Sequence, residues 1–280
     1  MKKNTILPLL ASLGINPSRK LGQNFLVDEN CLNSMVRSAA PQPGETILEI
    51  GPGTGVLTEQ LLAAKVNLLA VEIDHRLAEY LRRKFAGIPN LQIIEQDACR
   101  LQYETLEALK GDYRCVANLP YSCGSVFLAK ICTGPVPPRE LFVLLQREMA
   151  ERLTASPNKG DYGALTVKLA LRYDIAILKT IPPDVFYPAP EVSSAYVRLT
   201  RHDRHDADAQ MLNTAGDLAT IAFSQRRKKA LKLLAAAFGA SPISNAFTQM
   251  GLDENARAEN ISPEQYLELA RHITSSQKGN

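Results

Sequence analysis

From residue 46 onward, short β-branched apolar runs alternate with amphipathic stretches. TILEIG (46–51), NLLAVEI (67–73), LQIIEQD (91–97), YRCVANL (113–119) and LFVLLQ (141–146) predict strands. The last of these is almost wholly apolar, as a strand buried on both faces requires. VLTEQLLAAK (56–65) and RLAEYLRRKF (76–85) carry helical spacing between them. Strand and helix in repeated alternation imply an α/β fold: a parallel sheet with right-handed crossovers and helices on both faces. A short apolar helix at 163–171 precedes two more β-rich stretches, YDIAILKTI (173–181) and VSSAYVRL (192–199). The pair reads as an antiparallel hairpin at the sheet edge.

The character changes after residue 200. HDRHDADA (202–209) is polar and turn-like, and everything beyond reads as helix, over 209–223, 227–238, about 243–250 and 263–274. Ser262, Pro263 and Gln265 form a strong helix start: N-cap, first helical position, and a glutamine three residues after the cap. The expectation is an α/β domain over 1–204 with an N-terminal helical extension, and a small all-α domain over 205–280. The opening MKKNTILPLLASLG predicts an amphipathic helix rather than a signal peptide, because Pro8 interrupts a short, mixed apolar run. No apolar run approaches the ~20 residues that span a bilayer.

Composition narrows the class. The 280 residues are 45% hydrophobic and 22% charged, which excludes a disordered or fibrous chain. Five cysteines, an odd number without CxxC spacing, argue against a disulfide framework or a zinc site and for reduced thiols in the cytoplasm. His202 and His205 lack a third ligand nearby and read as linker residues, so no metal is expected. The net charge is only +3, but it is unevenly spread. Residues 45–112 hold 7 basic and 11 acidic side chains, whereas Arg226, Arg227, Lys228, Lys229 and Lys232 stand without an acid between 218 and 240. The two regions suggest surfaces for different partners.

The strongest local chemistry is Glu49-Ile50-Gly51-Pro52-Gly53-Thr54-Gly55 at a strand-to-helix turn. Glycines there permit positive φ and close backbone approach to a ligand, with helix amides aimed at it. A dinucleotide fingerprint needs its third glycine at 56, which is Val56. The observed GxGxG with a preceding acid resembles the first motif of class I S-adenosylmethionine-dependent methyltransferases. That cofactor carries no phosphate, in keeping with a loop free of Lys and Arg. Glu72, closing the second predicted strand, can accept hydrogen bonds from both ribose hydroxyls, and Asp97, closing the third, suits an adenine amino group.

The fourth predicted strand ends in Asn118-Leu119-Pro120-Tyr121, which resembles the fourth motif of amino-group methyltransferases acting on adenine or cytosine. Adenine N6 is a poor nucleophile because its lone pair is delocalised into the ring. The Asn118 side-chain oxygen and the Leu119 carbonyl can accept its two hydrogens and localise that pair. Pro120 fixes the turn, and Tyr121 offers a face to a base taken out of its helix. Phe186, in Phe186-Tyr187-Pro188-Ala189-Pro190-Glu191-Val192-Ser193-Ser194, is expected to cover the second face of that base. The basic run at 226–232 is expected to start a helix and contact RNA phosphates, giving affinity and salt dependence.

Together with Gln23-Asn24-Phe25-Leu26 after Lys20-Leu21-Gly22, these segments stand in an order that resembles the ribosomal RNA adenine dimethyltransferase family over nearly all 280 residues. The similarity is greatest to the bacterial small-subunit (16S) branch. The resemblance implies a seven-stranded Rossmann-like methyltransferase domain with a C-terminal helical domain. It implies two methyl transfers to N6 of each of two adjacent adenosines near the 3′ end of 16S RNA within the immature small subunit. S-adenosylmethionine would be the donor and S-adenosylhomocysteine the product. It also implies that Asn24, Leu26, Gly51, Gly53, Glu72, Asp97 and Asn118 hold the cofactor, and a monomer is the default. Two alternatives stay open: a large-subunit dimethyltransferase of the macrolide-resistance type, and an assembly factor whose role is mainly binding.

Overall fold

The computed structural model describes residues 3–18 and 20–278. Helix α1 (Lys3–Ser12), the two-residue strand β1 (Phe25–Leu26) and α2 (Glu29–Ala39) lead in. The alternation follows as β2 (Thr46–Ile50), α3 (Val56–Ala63), β3 (Asn67–Glu72), α4 (His75–Lys84), β4 (Leu91–Glu95), β5 (Tyr113–Asn118), α5 (Gly124–Thr133) and β6 (Glu140–Gln146). Next come α6 (Arg147–Leu153), α7 (Ala164–Ala170), β7 (Tyr173–Ile181), β8 (Phe186–Tyr187) and β9 (Ser194–Arg201). Four helices close the chain: α8 (Ala209–Phe223), α9 (Ala230–Phe238), α10 (Ala240–Gln249) and α11 (Pro263–Lys278). Within the described residues no helix is long and apolar enough to cross a membrane.

Seven strands form one sheet in the order β4-β3-β2-β5-β6-β9-β7. β2 pairs in parallel with β3 and β5, β3 with β4, and β5 with β6, whereas β9 runs antiparallel to β6. The chain steps outward from β2 to one side and then returns to its other side with β5. That reversal opens a crevice beyond the carboxyl ends of β2 and β5, the usual place for a ligand in such sheets. The central strands are apolar on both faces: Ile47, Leu48, Cys115, Val116, Val143 and Leu144 are all fully buried.

The two β-rich stretches are neighbours at the sheet edge as expected, but not as a simple hairpin. β7 is the outermost strand and β9 lies inside it, but no tight turn joins them. Residues 182–193 make an excursion in which β8 pairs antiparallel with β1. Pro182, Pro183, Pro188 and Pro190 lack the amide donor a continuous ladder needs, so the segment cannot extend either strand.

The chain packs as two units. One comprises residues 1–150 and 176–200, and the other 151–175 and 201–280. The helical unit is therefore larger than residues 205–280 and the chain enters it twice. Its core explains why: Tyr162, Val167 and Leu171 are buried together with Leu218, Leu234, Phe247 and Tyr266. Gly216 lets α8 approach α7 closely, since a Cβ there would stand 2.8 Å from Lys168 Cγ. The capping box at Ser262 forms as read, with Gln265 N–H donating to Ser262 Oγ and Ser262 N–H to Gln265 Oε1.

The helix expected at 227–238 starts three residues later, at Ala230. Lys228 N–H closes a turn on Gln225, Lys229 pairs with Arg257 in an isolated bridge, and Ala230 N–H donates to Ala256 O at 2.8 Å. The backbone of 225–229 is committed to those partners, so helix-forming side chains do not make it helical. Arg226, Arg227, Lys228 and Lys229 thus occupy the turn between α8 and α9, and only Lys232 of the basic set lies on a helix.

Candidate active site

A cavity of about 290 Å³ lies at the carboxyl ends of the central strands. Its walls bring together Asn24, Leu26, Gly51, Gly53, Glu72, Asp97, Asn118, Leu119, Pro120 and Tyr121, ten positions that the sequence singled out. Glu49 also lines it.

The glycine turn is shaped by what it packs against. Gly51, Gly53 and Gly55 have φ of 65°, 57° and 77°. A Cβ on Gly51 would stand 2.9 Å from Pro120 Cγ, and one on Gly53 would stand 3.1 Å from the Phe25 ring. Missing side chains therefore let the loop close on the Asn118–Tyr121 turn and on β1. The Gly53 amide donates to Glu72 Oε2 at 3.0 Å, which ties the glycine turn to the end of β3. The N-terminus of α3 carries no side-chain cap.

Glu72 closes β3 and is buried. Its other carboxylate oxygen accepts from Asp74 N–H at 2.9 Å. A carboxylate has about four acceptor positions, so these backbone donors leave room for a hydroxyl donor. Burial pushes the Glu72 carboxyl above the usual carboxylate range, against the pull of these backbone donors. Glu49 is buried too, accepts from Thr58 Oγ1 at 2.8 Å, and burial raises it to about 8. Asp97 sits two residues beyond β4, where its carboxylate accepts from Cys99 N–H at 2.8 Å. Ile73 is the residue the sequence pattern missed. Read as a strand residue, it lies just past the end of β3, lines the cavity and is 46% exposed. A large apolar side chain left uncovered at a cavity mouth is suited to a flat apolar ligand surface.

Asn118 ends β5. Its Nδ2 donates to the Asn24 backbone carbonyl at 3.0 Å, which sets the carboxamide and turns Oδ1 away from that contact. Gly22 brings the N-terminal segment down on the same turn: a Cβ there would meet Tyr121 N at 2.8 Å and Ser122 N at 2.7 Å. The Tyr121 hydroxyl is hydrogen-bonded to the Ser194 hydroxyl, and burial raises the phenol pKa.

Phe186 is a correction. It is 1% exposed and belongs to the core cluster of Leu26, Met35, Ile181 and Tyr196 rather than to the cavity wall. The β1–β8 register sets it opposite Leu26, so it supports that wall from behind.

In the helical unit, Arg226 is committed internally. Its guanidinium donates to the carbonyls of Gly160 (2.7 Å) and Tyr162 (3.1 Å), pairs with Glu259 at 3.4 Å and lies over the Phe223 ring. Arg227, Lys228, Lys229 and Lys232 are exposed, and none is in an ion pair among the described residues. The described residues contain no cluster of three or more His, Cys, Asp or Glu fit to hold a metal.

The sequence profile described as "Ribosomal RNA adenine dimethylase" matches residues 15–275. A protein from Moorella thermoacetica named "Ribosomal RNA small subunit methyltransferase A" is 34% identical over 276 residues, covering 95% of this chain and 96% of its own. One of the same name from Methylibium petroleiphilum is 37% identical over 262 residues, with 93% and 98% covered. Among solved structures, the 23S rRNA methyltransferase ErmE aligns with a TM-score of 0.65 at 25% identity, covering 90% of this chain and all of that one. A dimethyladenosine transferase from Plasmodium falciparum aligns with a TM-score of 0.73 at 22% identity, covering 90% and 98%.

Proposed function

The chain belongs to the ribosomal RNA adenine dimethylase family, and we propose that its substrate is the 16S RNA of the immature small subunit. There it dimethylates N6 of two adjacent adenosines in a loop near the 3′ end, acting as a monomer in the cytoplasm. The small-subunit assignment is supported by relatives of that name at 34–37% identity over nearly their whole length.

The methyl donor in this reading is S-adenosylmethionine. Its fit rests on the donor set: three carboxyl groups, Glu49, Glu72 and Asp97, line a cavity whose only cationic lining residue, among the described residues, is Lys20. That lining suits a cationic nucleoside without phosphates. Glu72 would hold the ribose hydroxyls, Asp97 the adenine amino group and Ile73 the adenine face, while Asn24, Leu26, Gly51 and Gly53 shape the rest. When bound, the donor supplies an electrophilic methyl group.

The chain's own residues then prepare the nucleophile. Asn118 Oδ1 and the Leu119 carbonyl accept the two N6 hydrogens and draw the nitrogen lone pair out of the ring. Asn24 holds the Asn118 carboxamide in the orientation that makes Oδ1 the acceptor, and this is the observation that carries the reading. Pro120, seated on Gly51, fixes the turn, and Tyr121 stacks on the extruded base. No strong base is needed, because N6 sheds its proton readily once it is alkylated. Rate comes from positioning and fixed dipoles. Arg227, Lys228, Lys229 and Lys232 bind RNA phosphates.

Asn118→Ala tests this. Dimethylation of small subunits should fall by at least a hundredfold while subunit binding persists. A variant that keeps full activity would remove Asn118 from the mechanism. Tight subunit binding by a wild-type chain that methylates nothing would favour the assembly-factor reading.

A further inference from the structure

The proline-rich segment from Phe186 to Ser194 does not present Phe186 to a base, which leaves its role open. Both of its ends grip cavity-lining segments. At the first end, β8 pairs with β1, and Phe186 is buried behind Leu26. At the second end, Ser194 begins β9 and its hydroxyl meets that of Tyr121.

Ser194 is 0% exposed. Its backbone is held by the sheet, opposite Gln146 of β6, and Arg147 N–H donates to the carbonyl of Ser193 at 2.9 Å. A fully buried hydroxyl is costly unless it is hydrogen-bonded, and alanine would fill nearly the same volume without that requirement. The Tyr121 hydroxyl satisfies it. Tyr121 is thereby fixed at both ends: its backbone lies beneath Gly22 and next to Pro120, and its phenol oxygen is tied to a rigid strand.

We propose that Ser194 is a positioning residue for the methyl-transfer reaction, setting the Tyr121 ring as a rigid platform for the target adenine. This rests on the proposed function, in which Tyr121 stacks on that base. A ring already in its stacking orientation loses little freedom when the base arrives, so the gain appears in turnover rather than in cofactor binding. The segment 186–194 is then a brace that sets β1 and the Asn118–Tyr121 turn from one piece of chain.

The test compares wild type, Ser194→Ala, Tyr121→Phe and the double variant. Each single change removes the hydroxyl pair and keeps the ring. Turnover on small subunits should drop on the order of tenfold in each, as expected for one hydrogen bond removed. The double variant should be no worse than either single one, and S-adenosylmethionine affinity by calorimetry should stay at the wild-type value. RNA carrying 2-aminopurine at the target position supplies a readout independent of turnover: wild type should quench it by stacking, and both variants should quench it less. Wild-type quenching and turnover in Ser194→Ala would overturn the proposal, as would additive losses in the double variant. Tyr121→Phe carries the same comparison should Ser194→Ala fold poorly. Wild-type turnover on its own tests the proposed function, so the two can fail separately.

Discussion

Glu49 offers a prediction whose size follows from its surroundings. It is 1% exposed and has one hydroxyl donor, Thr58. Burial, aided by the nearby Glu72, holds its carboxyl near 8 against 4.5 for an unburied glutamate. The folded chain therefore keeps a proton that the unfolded chain releases. Below pH 4.5 both states are protonated and the contribution to stability is fully present. As pH rises from 4.5 towards 8 only the unfolded state ionises and stability falls; above about 8 the loss levels off. The gap corresponds to at most about 5 kcal/mol. Glu49→Gln removes the titration. Calorimetric melting between about pH 5 and pH 8.5 should show wild type losing stability relative to the variant by up to that amount.

A bound cation reverses the preference, because it stabilises the carboxylate. Binding of S-adenosylmethionine to wild type near neutral pH should therefore release a proton, and affinity should rise with pH up to about 8. The apparent binding enthalpy should then depend on the ionisation enthalpy of the buffer. The Glu49→Gln variant should bind more weakly and with little such dependence. Equal pH slopes of stability and affinity in both proteins would refute the assignment of this proton to Glu49.

Other perturbations follow from the same geometry. Gly51→Ala forces a Cβ onto Pro120 at positive φ, so it should cost about 1–3 kcal/mol of stability and weaken cofactor binding together with turnover, measured by melting and calorimetry. Arg114 is buried in β5, with its guanidinium on Glu45, Glu140 and the Ala39 carbonyl. Arg114→Ala leaves Glu140 without its arginine and Glu45 with only Arg139, at 3.9 Å, and should cost up to about 3–5 kcal/mol in urea unfolding. Replacing Arg227, Lys228 and Lys229 together by Ala should lower the salt slope of RNA binding by roughly 0.7–0.9 for each phosphate no longer neutralised, with the melting temperature unchanged. Arg226→Ala should do the opposite, costing about 1–2 kcal/mol of stability by removing the hydrogen bonds to the Gly160 and Tyr162 carbonyls while changing the slope little.

What the sequence made legible is what depends on local pattern. Strand ends, the glycine turn, Glu72 and the Asn118–Tyr121 turn could be placed because a parallel sheet puts successive strand ends at one rim. What it concealed depends on distant pairing. Phe186 faces the core only because β8 pairs with β1, far away along the chain. The 226–229 run has helical composition, and Arg257 and Ala256 divert its backbone into a bridge and a turn. Residues 151–175 join the helical unit through Tyr162, Val167 and Leu171, whose partners lie beyond residue 200. Ile73 was hidden by its apolar character, which continues the strand pattern although the strand has ended.

Methyl transfer by the purified chain from labelled S-adenosylmethionine to unmodified ribosomal subunits, with the RNA analysed by mass spectrometry, tests the 16S assignment directly. Label should appear in 16S RNA, as N6,N6-dimethyladenosine at two adjacent positions. Label in 23S RNA with none in 16S RNA would contradict it.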